Sequence, residues 1–393
     1  STLGAICLAL VFFNLSKMMP KIGGPYAYAR EGFGNFPGFL VAWSYWISIL
    51  CGNAAISIAL VSYLAMFIPS LASNSLFAVI AALLNIWILT FVNIFGVRES
   101  GRVQLVTTIL KIAPLIAIVL FGIFYLDPNN FIPMNRSSET SFDAIAATTV
   151  LTLWAFLGLE SATIPAENIK NPDKIIPRAT IVGTIITAII YIISTIAVMG
   201  IISPEILVNS NAPFADAARK IWGSAAGYIV AAGGVVACFG ALNGWILLQG
   251  QIPLAAAKDN LFPKLFSKLS KNSTPVFGLV ISSIIVTLLM MMNYTKGLVE
   301  QFTFIILLAT LVTLVPYLIS TLSEILIFSK KREGESRTKY KISVVIALLA
   351  FLFSAWAVWG LGYEIIVWGI VLISSGIPVY FLITHNRKQR TLE

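Results

Sequence analysis

The chain has 393 residues, of which 58% are hydrophobic and only 11% charged, with a mean hydropathy of +0.90. Soluble domains carry about a quarter charged residues, so this composition excludes a water-soluble enzyme or nucleic-acid binder. The net charge of +9 is then a topology signal, not the mark of a polyanionic partner.

Helical spans need ~20 apolar residues each. Such runs cover roughly 1–19, 36–67, 76–96, 103–126, 143–165, 179–202, 224–250, 275–293, 302–328, 342–361 and 365–384. None alternates with the period of two that a lipid-facing barrel strand requires. The eleven runs predict an all-α integral-membrane bundle forming one domain over 1–393. Of 26 Lys and Arg, 21 fall in alternate connections: Lys17, Lys21 and Arg30; Arg98 and Arg102; Lys170, Lys174 and Arg178; Lys258 to Lys271; Lys330 to Lys341; and Arg387 to Arg390. Those connections are expected to be cytoplasmic, and the C-terminus with them. Ser1 then lies outside, partway into an apolar run, so one further helix of a twelve-helix protein is expected to precede it.

In chain order, the first feature is GGPYAYAREGFG, Gly23 to Gly34, which suits a short interfacial segment. Its Tyr26 and Tyr28 are either interface anchors or functional groups. The run at 36–67 exceeds one span, implying tilt or extension beyond the membrane. It carries Asn53 directly after Gly52, where the amide serves either a ligand or an interhelical hydrogen bond worth ~0.6 kcal/mol. Lys111 lies about nine residues into its run, too deep to reach the headgroups comfortably. It is a proton carrier, a fixed cation in place of a sodium ion, or a partner of helix-end carbonyls. Asn85, Gln104 and Asn243 are the remaining candidates for buried polar groups.

The most informative segment is LWAFLGLESATIPAENIKNP, Leu153 to Pro172, because it sets Glu160 inside an apolar run. A carboxylate at bilayer depth costs ~2.5–3.5 kcal/mol on insertion scales and faces a cavity or a partner. Gly158 marks the weakest point for a continuous helix. Unwinding at 156–158 would aim Trp154 and Glu160 at one space, as in a midplane transport site. Trp154 and Trp245 sit mid-span, away from the headgroup belt; each either packs or offers its face to a cation. Gly240 and Gly244 allow either close helix packing or a backbone exposed to a ligand. Cys7, Cys51 and Cys238 lie in apolar runs and imply no disulfide, and His385 is the sole histidine. No phosphate loop, nucleophile elbow or Cys/His metal spacing is present, so neither metal nor cofactor is expected.

The chain resembles the amino acid, polyamine and organocation transporters, in their basic amino acid/polyamine branch and most closely its arginine/agmatine antiporters. The likeness spans essentially all 393 residues. It rests on GGPYAYAREGFG, GN at Gly52, NIFGVRESGRVQ at Asn93, LWAFLGLESATIPAENIKNPDKIIPRAT at Leu153, APFADAARKIWG at Ala212, NGWILLQGQIPLAAAKDNLFP at Asn243 and TLVPYL at Thr313. The resemblance implies two inverted five-helix repeats with broken first and sixth helices, followed by two helices, here without the first. It implies that Trp154 stacks on the cationic end of a substrate, that Trp245 walls the pocket and that Asn53 responds to substrate. Ser48, Ile49, Ile56, Leu157 and Ala309 match lining positions. Tyr26 and Tyr45 match gating tyrosines, Glu160 a carboxylate of the broken helix, and Tyr317 a tyrosine of the tenth helix. Ile56, Ala155 and Ala309 depart from the pattern and leave fewer polar contacts. Lys111 is similar to a lysine of proton-coupled relatives.

The expected function is exchange of a basic amino acid for its decarboxylated amine in a bacterial inner membrane, without covalent chemistry. The alternative is a proton-coupled amino acid symporter using Lys111 or Glu160, and more remotely a nutrient-sensing receptor or a channel. The expected partners are the small-molecule substrate, the lipid bilayer and, as in relatives, a second copy in a homodimer; nucleic acid is not expected.

Overall fold

The computed structural model describes residues 1–21, 23–95, 107, 116–164, 169–293, 297–330 and 337–390. Lys111 and Gln104 lie outside the described residues. The helices are α1 Thr2–Met18, α2 Pro25–Phe33, α3 Asn35–Leu64, α4 Ser70–Ser73, α5 Ser75–Ile94, α6 Ile116–Tyr125, α7 Ser141–Trp154, α8 Pro172–Ile201, α9 Pro204–Leu207, α10 Pro213–Trp222, α11 Ser224–Lys258, α12 Val276–Asn293, α13 Leu298–Lys330, α14 Arg337–Trp359, α15 Tyr363–Ser374 and α16 Gly376–Arg390. Among the described residues every regular element is helical, as expected for an all-α bundle. Seven helical stretches are long and apolar enough to cross a membrane, and α1, α6, α7 and α12 are shorter apolar helices. The run at 224–250 is part of α11, whose 35 residues span about 52 Å at ~1.5 Å per residue.

Local chemistry sets the ends. The Asn74 side chain accepts from the amides of Leu76 and Phe77 at the start of α5. Thr140 accepts from the Asp143 amide at the start of α7. Such caps satisfy amides that have no partner within the helix. The segment at Gly23 to Gly34 becomes α2, entered through Pro25 and left at Gly34.

A helix that is apolar all round must be buried, either by protein or by lipid. In α3 78% of the most apolar stretch is buried, against 28% in α8 and 17% in Tyr363–His385. The centre of the bundle is therefore α3, packed on α11, α13, α2, α5 and α12, while α8 and α14 flank α1 at the rim. The outer helices show lipid-type surfaces such as Leu84, Ile88 and Phe91 of α5 and Ile185, Ile186 and Ile189 of α8. At Gly240 a Cβ would collide with the Thr107 hydroxyl, so this glycine serves close packing.

Three interruptions shape the centre of the bundle. Helix α7 stops at Trp154, and tight turns replace the helical ladder. Phe156 donates to the Leu153 carbonyl, Leu157 to Trp154 and Ser161 to Gly158, at 2.8, 3.1 and 2.9 Å. The break runs over 155–160, longer than the three residues expected, with a short 3-10 turn Ser161–Thr163 beyond it. Pro253 lies inside α11 and Pro316 inside α13. Each lacks an N–H, which releases the carbonyl four residues earlier, Gln249 and Val312 respectively.

Candidate functional site at the broken helix

Gly158 makes the break possible. Its φ of +99° is a conformation that side-chain-bearing residues rarely adopt, and a Cβ there would stand 2.7 Å from the Trp245 ring. The indole of α11 thus lies directly against the unwound backbone. The break also turns Trp154 and Glu160 towards α13. Trp154 meets Phe302 edge to face, with ring centroids 5.3 Å apart.

Glu160 is fully buried. The Tyr45 hydroxyl of α3 donates to its Oε1, and the Tyr317 hydroxyl of α13, just after the Pro316 interruption, donates to its Oε2 at 2.5 Å. One carboxyl group therefore ties the broken segment to both central helices. Both oxygens of the buried carboxyl group are thereby engaged.

The remaining sequence-derived residues divide. Tyr26, Tyr45, Ile49, Ile56 and Ala309 share one buried apolar cluster, against which Trp154 and Trp245 pack. Asn53 is buried on the same stretch of α3. Beside it, the space where a Gly52 Cβ would point is empty to 4 Å, so α3 borders an opening at this depth. The Ser48 hydroxyl is committed to the Tyr45 carbonyl at 2.8 Å. Leu157 does not join this group, because it packs on clusters that include Phe12, Tyr317 and Leu311.

At one end of the bundle α2 packs on α3 and α13. The Tyr26 hydroxyl donates to Asp259 at the end of α11 at 2.8 Å, and Arg30 pairs with the same oxygen at 2.6 Å. The Gly23 amide donates to the Ile164 carbonyl at 3.1 Å, which joins α2 to the segment after the break. Burial, and then the contact with Asp259, push the Tyr26 hydroxyl above the ordinary phenol range.

The sequence profile of the amino acid permease family covers residues 1–383. The chain belongs to the amino acid permease family. It is 30% identical over 387 residues to the putrescine transporter PotE of Haemophilus influenzae, covering 98% of this chain and 88% of that protein. It is likewise 30% identical over 385 residues to PotE of Escherichia coli, with 98% and 87% covered. With the cadaverine/lysine antiporter of E. coli it shares 33% over 369 residues, covering 92% and 81%. This permease is a multi-pass membrane transporter and not an enzyme.

Several polar residues of the permease carry no signal in the sequence alone. Asp259 follows Lys258 in a polar turn, and nothing local marks it as the partner of Tyr26. Gln249 lies four residues after Trp245, a spacing that puts both on one face of α11. Glu324, fully buried in α13, accepts from Asn14 of α1 at 2.7 Å and from Ser343 of α14. It lies seven residues after Tyr317, a spacing that also shares a helix face.

This geometry carries two expected results. Gly158→Ala should lose ~1–3 kcal/mol through the strained backbone and displace the Trp245 ring. Thermal melting of purified protein and substrate counterflow should both fall; wild-type values for both would contradict the assigned conformation. Tyr26→Phe removes one hydrogen bond of ~0.5–1.5 kcal/mol between α2 and the end of α11. Cysteine probes placed near Ile164 should then label up to about tenfold faster, whereas unchanged labelling would deny Tyr26 a part in closure.

Proposed function

We propose that this permease exchanges a basic amino acid for the amine left by its decarboxylation, by alternating access across a bacterial inner membrane. The substrates are the size of ornithine and putrescine or lysine and cadaverine, and the α2 end and the C-terminus face the cytoplasm. The observation that carries the reading is Glu160, a buried carboxylate at a broken helix beside Trp245 and held by tyrosines of two central helices. A carboxylate among aromatic faces selects a cation. The names of the relatives, a putrescine transporter and a cadaverine/lysine antiporter, support short amines over agmatine. So does the lining, in which Ile56, Ala155 and Ala309 offer a guanidinium no hydroxyl.

In this reading Trp154 stacks on the cationic end, Trp245 and Ile49 wall the pocket, and Tyr45 and Tyr317 release Glu160 as the pathway opens. Decarboxylation replaces an anionic carboxylate by hydrogen, so the amine carries one more positive charge than its parent amino acid. Each exchange then moves one net charge. Counterflow in proteoliposomes loaded in turn with putrescine, cadaverine, ornithine, lysine, agmatine and arginine tests the substrate class. The diamines and their parent amino acids should accelerate uptake of labelled putrescine. Acceleration by arginine and agmatine alone would replace this pair with the larger one.

A further inference from the structure

Asn53 and Gln249 form the centre of a buried hydrogen-bond chain whose direction is determined by its far end. The Gln249 side chain faces the Leu279 carbonyl at 3.2 Å. A carbonyl only accepts, so the atom facing it must be the amide nitrogen Nε2, which also donates to the Ser283 hydroxyl at 2.9 Å. That leaves Gln249 Oε1 facing Asn53 at 2.7 Å, and an acceptor there requires Asn53 to present its Nδ2. The Asn53 carbonyl oxygen is consequently turned away, and it is buried without a hydrogen-bond partner.

The chain is anchored beyond Ser283 as well. Ser283 meets Thr90 of α5 at 2.6 Å, and Thr90 donates to the Ile86 carbonyl. Pro253 frees the main-chain carbonyl of Gln249, which accepts from Ser282 at 3.3 Å, while Ser282 in turn accepts from Trp46 at 2.9 Å. Gln249 is thus held to α12 through both side chain and backbone. An amide on a freely rotating side chain flips to satisfy whichever end needs a partner; this one is prevented from doing so. Buried acceptors are rarely left unpaired. This one belongs to the residue after Gly52, whose Cβ position meets nothing within 4 Å, one helical turn from Ile49, and its side chain bonds the α11 residue one turn beyond Trp245.

We propose that Gln249 is a positioning residue that locks Asn53 with its carbonyl oxygen free to accept an N–H of the carried amine. Resting on the reading of this chain as an amine exchanger, the inference adds a specificity rule: at this point the site takes a hydrogen-bond donor and rejects an acceptor.

The test is a double-mutant cycle in proteoliposomes, with KM and maximal rate measured per reconstituted transporter. Gln249→Met removes the lock at nearly constant volume and should raise the KM for putrescine about tenfold, the value of one lost hydrogen bond. Its maximal rate should stay within about twofold. Gln249→Glu, held protonated by burial, keeps an acceptor facing Asn53 and an O–H for the Leu279 carbonyl or the Ser283 hydroxyl, and should stay within about threefold of wild-type KM. A packing role predicts the reverse order, since methionine suits a buried site and glutamate does not. In an Asn53→Ala background Gln249→Met should add nothing, because it acts through Asn53. Equal KM shifts for Met and Glu, an unchanged KM for Met, or multiplying effects in the double variant would each overturn the proposal. Should Gln249→Met not fold, Ser283→Ala, which removes one of the two Nε2 acceptors, should raise KM about threefold; an unchanged KM there would also overturn it. Wild-type protein is assayed first with putrescine, cadaverine, ornithine, lysine, agmatine and arginine. Absence of putrescine flux fails the substrate reading alone, and the cycle is then read with the amine that is carried. Flux of none of the six contradicts both.

Discussion

Glu160→Gln should nearly abolish exchange of cationic substrates, reducing it at least about thirtyfold at fixed substrate concentration. Removing one partner of a buried, hydrogen-bonded charge pair typically costs ~2–5 kcal/mol, which corresponds to roughly thirty- to several-thousandfold. The glutamine is isosteric, but its amide nitrogen donates, so whichever of Tyr45 or Tyr317 it faces must accept instead of donate. The attraction for a cation is lost, and one of the two bonds that tie the break to the central helices is reversed and loses its charge assistance. Tyr317→Phe separates these two effects. It leaves the charge in place and removes one donor from the carboxylate, so the maximal rate should change more than KM. Measuring counterflow alongside thermal melting distinguishes a functional loss from unfolding. Glu160→Gln protein that melts normally and exchanges at more than a third of the wild-type rate would deny the carboxylate its role.

Trp154→Leu should weaken binding of a cationic substrate by ~1–2 kcal/mol, about five- to thirtyfold, through loss of the attraction between an aromatic face and a desolvated cation. Trp154→Phe should cost less, because a smaller ring retains part of that attraction. The edge contact with Phe302 fixes the indole from one side, so the phenylalanine variant also reports how much depends on that support. Calorimetry with putrescine and lysine reads both variants. Equal and negligible losses would reduce Trp154 to a packing residue.

How much of this site is legible in the sequence depends on which forces are local. Gly158 two residues before a carboxylate at membrane depth is enough to locate the break, since backbone freedom and the burial of charge are properties of a short segment. Its extent over 155–160 is not legible, because the turn lengths depend on where Trp245 presses on Gly158. The partners of Glu160 lie 115 and 157 residues away in sequence. Only the packing of α3 and α13 around the break brings them together, and without the family resemblance neither tyrosine stands out from the aromatic residues of the interface. For Asn53 the sequence leaves open a ligand group or an interhelical hydrogen bond. The structure shows the interhelical bond to Gln249 and leaves the carbonyl oxygen unpaired. Gln249 itself gives no signal, since a glutamine near the end of a long apolar run reads as an ordinary interfacial residue. Glu324 is hidden by the charged stretch that comes after it. Lys111, which separates exchange from proton coupling most sharply in the sequence, lies outside the described residues.

The most direct test of amine–amino acid exchange is uptake of labelled putrescine into proteoliposomes under four conditions: empty or loaded with unlabelled ornithine, each with and without an imposed pH gradient. Obligate exchange predicts uptake only when the vesicles are loaded, with a saturating rate and no net accumulation driven by the pH gradient alone. Lys111→Ala that folds should leave this pattern intact. Accumulation in empty vesicles that follows the pH gradient and disappears in Lys111→Ala would contradict the account and establish a proton-coupled symporter in its place.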